Sequence, residues 1–171
     1  MRKTIRGFTV VELLIVVAVI GVLVTISVVM FSSSQKRSQN VSKVAELKLW
    51  QKAFVQYKAT NGSYPPGTDE SGYCLGKNFP GNKCRDYNGG SLYTEAASQS
   101  LMTALSTYDP PQATPRVPVG GTVGPYAYYT STNITLYAVL EGKTAAECPP
   151  GSAYSWTDGT KLLLCSITLT K

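Results

Sequence analysis

The sequence predicts an α+β protein: one long N-terminal α-helix, membrane-spanning in its first half and amphipathic in its second, packed on a four-stranded antiparallel sheet. Three observations carry that expectation. Residues 13–31 form a run of nineteen without a charge, mostly Val, Ile and Leu. Val41, Val44, Leu47, Trp50, Phe54 and Tyr57 then recur at steps of three and four, the period of a single helix face. Beyond residue 126, aromatic and β-branched residues alternate with others at the period of strands.

At roughly 1.5 Å per residue, the apolar run as a helix nearly crosses a hydrocarbon core of about 30 Å. Arg2, Lys3 and Arg6 precede it, and Glu12 sits inside it rather than beside it. An ionised side chain at membrane depth is costly, so an acid there needs a named partner. A cleaved secretory signal also has a basic start and an apolar stretch, and Ser32-Ser33-Ser34 offers a cut. Against it, the run exceeds the usual length of about 7–15 residues, Glu12 interrupts it, and helical patterning continues past Ser34. A plain single-pass anchor leaves Glu12 unexplained.

The stretch Gly7-Phe8-Thr9-Val10-Val11-Glu12-Leu13 resembles the class III signal of type IV pilins and type II secretion pseudopilins. The resemblance covers about the first 30 residues and is specific, because leader, Gly, Phe and Glu all fall at the family's spacing. It implies cleavage by a prepilin peptidase between Gly7 and Phe8, N-methylation of Phe8, and a subunit-assembly role for Glu12. Gly21 also matches a family glycine. The family often carries a proline at the position of Val29, and this chain has none between Phe8 and Thr60. The implied organisation is a leader at 1–7, a long helix at 8–61 with its transmembrane and polymerisation segment at 8–31, and a globular pilin-like head at 62–171.

The formal charge of +6 belongs half to the leader, and removing Arg2, Lys3 and Arg6 leaves +3. Charged residues are 15% of the chain, against about 25% in ordinary domains. That balance gives no clear nucleic-acid site. Lys36, Arg37 and Lys43 beyond the apolar run weaken the positive-inside asymmetry without reversing it.

Lys43, Glu46, Lys48, Lys52 and Lys58 occupy the positions between the apolar ones, so the second half of the helix is read as one-sided. Asn61-Gly62 offers a left-handed C-terminal position and Pro65-Pro66 cannot continue a helix. An unbroken helix over 8–60 is about 80 Å long. Tyr57, Asn61, Gly62, Tyr64 and Pro65 also resemble a stretch common at this point in pilins and pseudopilins. Residues 66–88, rich in Gly, Pro, Asn and Asp, read as a loop stapled between Cys74 and Cys84. Leu92, Ala96, Leu101 and Leu105 allow a short helix, and 109–125 holds half of the chain's prolines. Residues 126–131, 134–140, 153–157 and 160–170 read as strands, the last two joined at Asp158-Gly159, a strong hairpin signal.

Four cysteines and no histidine, beyond an export-type helix, point to disulfides in an oxidising compartment. Three connectivities exist, and neighbour pairing, Cys74 with Cys84 and Cys148 with Cys165, is the one expected. The resemblance likens the Cys148–Cys165 segment to the disulfide-closed C-terminal region of pilins, favouring a pilus over a secretion pseudopilus. Zinc has neither CxxC spacing nor histidine to recommend it. Asp158 lies where some pseudopilins bind calcium, but one acid in a tight turn falls short of six to eight oxygens. No metal and no cofactor are expected. No P-loop, dinucleotide glycine pattern or histidine-based nucleophile pair appears, and the scattered acids share no convergent spacing.

The expected function is therefore mechanical rather than enzymatic. It is that of a structural subunit of a type IV pilus or pilus-like filament serving adhesion, surface attachment or twitching motility. The alternative is a type II secretion pseudopilin or a minor tip or competence pilin acting as a binding module. The partners implied are the prepilin peptidase, other pilins in a helical filament, the pilus assembly platform and the inner membrane. The head would lie outside a single-pass anchor before assembly and on the extracellular pilus after it.

Overall fold

The computed structural model describes residues 9–85, 93–111, 124–141, 148, 153–156 and 162–171, with backbone only at 27–33, 141, 153–156 and 162. Helix α1 runs Val10–Asn61, 52 residues without a break, and so passes through Val29 uninterrupted. The chain divides into two compact units, 1–38 and 39–171, with α1 contributing to both. In the first unit every large apolar side chain from Val10 to Ile26 is at least half exposed. Among the described residues no helix is long and apolar enough to cross a membrane. The distal side chains of the apolar run, 27–31, lie outside the described ones, and the membrane-spanning expectation for 8–31 rests on the sequence alone.

In the second unit the helix is built from strong helix formers, Ala, Glu, Leu, Lys and Gln, between its buried anchors. It stops where expected. Gly62 takes φ +77°, and its N–H donates to the Lys58 carbonyl at 2.8 Å, closing the last turn through a left-handed position that suits a residue without Cβ.

The four expected strands are present as β4 (Tyr126–Tyr129), β5 (Asn133–Glu141), β6 (Ala153–Trp156) and β7 (Leu162–Thr170). A fifth, β1 (Ser71–Cys74), comes from the stretch read as loop and joins the sheet edge in the order β1-β4-β5-β7-β6. All pairings are antiparallel. The Asp158-Gly159 turn lies outside the described residues, as does most of the 109–125 loop. A small ribbon of β2 (Lys83–Arg85) and β3 (Tyr93–Thr94) forms a second sheet. The short helix expected from Leu92, Ala96, Leu101 and Leu105 is confined to α2 (Gln99–Leu105), since Tyr93–Thr94 is strand, Ala96 lies in a turn and Leu92 is outside the described residues.

One face of the sheet packs on α1 and α2. Val44, Leu47, Trp50, Ala53 and Phe54 meet Leu101 and Leu105, and with them Tyr129, Ile134, Leu136, Leu140, Leu163 and Leu169. Trp50 and Phe54 are wholly buried, and truncating either in such a setting costs about 3–5 kcal/mol. The opposite face is covered as well, by a cluster of Cys74, Phe79, Cys84 and Tyr93 on Tyr126, Val139 and Leu164.

That second layer corrects the half-buried reading of β5, because Val139 is buried under the Cys74–Cys84 segment. The one-sided reading of α1 needs correction too. Val41 is 55% exposed, whereas Lys43 and Glu46 are buried. Lys43 Nζ donates to the Val139 carbonyl at 2.9 Å, and Glu46 accepts from Trp50 Nε1 at 3.4 Å. Long polar side chains flanking the apolar stripe thus bury their stems and place their heads on partners.

Candidate functional site

The first turn of α1 holds the residues of the motif that the structure describes. Leu13 N–H donates to the Thr9 carbonyl at 3.3 Å, which makes Thr9 the residue that caps the helix. Thr9 and Glu12 are bonded reciprocally. The Glu12 carboxylate accepts the Thr9 N–H at 2.8 Å and the Thr9 hydroxyl at 2.9 Å, and Thr9 Oγ1 accepts the Glu12 N–H at 3.3 Å. Two backbone donors otherwise orphaned at a helix start are satisfied by two side chains three residues apart. The pattern Thr9-Val10-Val11-Glu12 carries this capping box in the sequence itself. The carboxylate also stands where the positive end of the helix dipole favours an anion.

Glu12 therefore has a partner within its own chain. Gly7 and Phe8, the expected cleavage and methylation residues, lie outside the described residues. Glu12 and Thr9 are both exposed, so the capped carboxylate stays open to a further partner. Around Gly21 nothing lies within 4 Å of where a Cβ would stand. The motif's glycine thus accommodates no contact inside this unit. Thr25 Oγ1 donates back to the Val22 carbonyl at 2.7 Å, satisfying its hydroxyl without any partner outside the helix.

In the head, both expected disulfides are present. Cys74 and Cys84 are wholly buried, with Cα atoms 5.5 Å apart, and pin β1 to β2. Half-buried Cys148 is bonded to Cys165 on β7, with Cα atoms 5.3 Å apart. Asp158, the acid considered for calcium, lies outside the described residues. Among those described, no group of three or more Cys, Asp or Glu is arranged to hold a metal ion.

Beside the Cys74–Cys84 bridge the outer face of the sheet is rich in tyrosine. Tyr126 stacks on Tyr137 with ring centroids 4.8 Å apart, and the Arg85 guanidinium lies 5.0 Å from the Tyr126 ring and 5.3 Å from that of Tyr93. Burial pushes the Tyr126 and Tyr129 hydroxyls up, out of the ordinary tyrosine range. Tyr128 reaches the surface and donates to the Glu70 carboxylate, which pushes its hydroxyl up to about 12.

The described residues thus comprise a capped helix whose first half exposes its apolar side chains and an α+β unit closed by two disulfides. Residues 2–28 match the prokaryotic N-terminal methylation motif, so the chain carries a type IV pilin-like, class III signal. No curated protein and no solved structure matches the chain.

Proposed function

We propose that the chain is a structural subunit of a type IV pilus or pilus-like filament. A prepilin peptidase cuts it after Gly7, and the new terminal Phe8 is methylated. Residues 8–31 hold it in the cytoplasmic membrane, with the head outside, until the assembly platform extracts it into a filament exposed at the surface. The protein is a substrate of that machinery rather than an enzyme.

The observation that carries this reading is the apolar first half of α1, directly behind the methylation motif. Its large side chains from Val10 to Ile26 are exposed on every side. A helix apolar all round is stable only when lipid or other helices surround it. Before assembly lipid meets that need, and within a filament the same helix of other subunits does. Glu12, capped but open, then receives the amine of a neighbouring Phe8, so that two charges are neutralised together and the axial register is set.

Two measurements test the proposal. N-terminal sequencing and intact mass should show a chain that begins at methylated Phe8, and a bulky residue at Gly7 should leave the leader in place. A chain beginning near Gln35 would establish an ordinary secretory signal. Mass spectrometry of filaments sheared from cells then assigns the role. A dominant subunit is the expected result, a trace component means a minor pilin, and absence from them means a secretion pseudopilin.

A further inference from the structure

At the C-terminal end of α1 the chain turns through Gly62-Ser63-Tyr64-Pro65-Pro66-Gly67 and walls off a pocket of about 300 Å³ against Tyr129. That volume is at the small end of ligand sites, enough for a single sugar-sized ring. Two ammonium groups line it, Lys58 from the helix and Lys171 after β7.

Each is held over an aromatic face, Lys58 Nζ 4.3 Å from the Tyr64 centroid and Lys171 Nζ 5.4 Å from that of Tyr129. An ammonium has three donors. Lys58 spends one on the Thr170 carbonyl at 3.3 Å. Lys171 spends one on the Thr130 carbonyl and one on Asp69 Oδ1 at 2.7 Å. Both therefore keep donor capacity at the pocket. Among the described residues Asp69 is the one carboxylate bonded to either, and it stands outside the lining.

The remaining wall is carbon-rich. Pro65 is buried, Pro66 and the half-buried Tyr64 stand beside it, and the Tyr129 hydroxyl is fixed by donating to the Pro65 carbonyl at 3.1 Å. Two cations set among proline and tyrosine carbon match a ligand with a carboxylate on a saturated ring. We propose that this pocket binds one acidic sugar unit of the hexuronate type. The carboxylate meets Lys58 and Lys171 where they lie over Tyr64 and Tyr129, and the ring's C–H face lies against the proline wall.

The test is titration of the full chain in detergent micelles with methyl glucuronide, methyl glucoside and sodium acetate, followed by chemical-shift perturbation. Saturable binding of the glucuronide is expected at residues 58–67 and 129, at least about fivefold tighter than the glucoside or acetate. Losing one exposed ion pair, Lys58→Gln should weaken it about three- to fivefold, with Lys77→Gln as the control that leaves it unchanged. Asp69→Asn frees Lys171 from its competing carboxylate and should tighten binding about two- to threefold, a gain that damage to the fold does not produce. Equal binding of the glucoside would remove the charge recognition, and equal binding of acetate would reduce the pocket to a simple anion site. Unchanged affinity in both Lys58→Gln and Asp69→Asn would place the ligand elsewhere. Any of the three overturns the proposal.

Discussion

Thr9 and Glu12 cap each other: the hydroxyl oxygen accepts the Glu12 amide while the carboxylate accepts both the amide and the hydroxyl of Thr9. The acid of the motif is thus part of how α1 begins, before any second subunit arrives. Its backbone donor, the Thr9 N–H, lies beyond the cleavage proposed after Gly7, so that cleavage would leave the cap in place.

Substitutions at Glu12 should separate the cap from the charge. Glu12→Gln keeps an acceptor for the Thr9 N–H and removes the charge, while Glu12→Ala removes both. Filament yield should fall in both, with Glu12→Asp intermediate. Amide exchange at residues 10–13 in micelles should accelerate only in the Ala variant. Thr9→Val should accelerate it too, since losing such a cap costs helix stability of about 0.5–2 kcal/mol. Wild-type filament yield from the Gln variant would leave the charge no part in assembly.

Accessibility orders the two disulfides. Cys148 is half-buried, whereas Cys74 and Cys84 are wholly buried beneath Phe79 and Tyr93. Graded reduction followed by alkylation and peptide mapping should therefore label Cys148 and Cys165 first. The 17-residue separation of that pair makes its closure worth about 3 kcal/mol. A drop in the head's thermal midpoint should accompany the first labelling, with the helical circular dichroism largely kept.

Gly72 is required by a ring. A Cβ there would stand 2.1 Å from Tyr93 Cζ, and Tyr93 is itself 5% exposed and packed on Tyr126. Gly72→Ala forces the β2–β3 ribbon off the sheet and should destabilise the head by about 1–3 kcal/mol, read by denaturant unfolding. The double variant Gly72→Ala/Tyr93→Ala should lose less than the sum of the two single changes, because the clash goes with the ring.

The tyrosines set an alkaline limit. Tyr128 is pushed up to about 12, first by its hydrogen bond to Glu70, then by burial and the Glu70 charge. A tyrosine whose folded value lies above its unfolded one stabilises the fold fully below the unfolded value, about 10. That contribution disappears as pH rises through the folded value. Tyr126 and Tyr129 act in the same direction through burial. Stability should therefore decline from about pH 10 upward. In a tyrosinate absorbance titration, Glu70→Gln should move one tyrosine back toward the ordinary range and leave the buried two in place.

Periodicity made the helix, its end and four strands legible, because each of these is a local pattern. Anchors at steps of three and four placed Leu47, Trp50 and Phe54 on the core, and Asn61-Gly62 marked the stop. What local pattern did not carry is the second layer. Ser71–Cys74 has too few residues to show a strand's alternation, and it is a strand because Tyr126–Tyr129 offers it a partner edge. Nothing in the order of residues says that Phe79 and Tyr93 will roof over Val139. Lys43 and Glu46 were read outward on charge alone, and their long stems allow a different answer. At the site, the leader signature and the capping box within it, whose two residues stand three apart, are local patterns and so legible in the sequence.

The sheet's central strands, β5 and β7, have nine residues each, and its two edges, β1 and β6, have four each. A short edge offers an incoming strand few backbone groups and so makes a poor template. In a filament, heads are held side by side at a local concentration far above that of any solution. Under such confinement a long bare edge would recruit its neighbours into a continuous cross-strand ribbon, bypassing the helical lattice. In the filament proposed above, truncated borders would keep each head sealed to its neighbours' backbones and leave assembly to the helices.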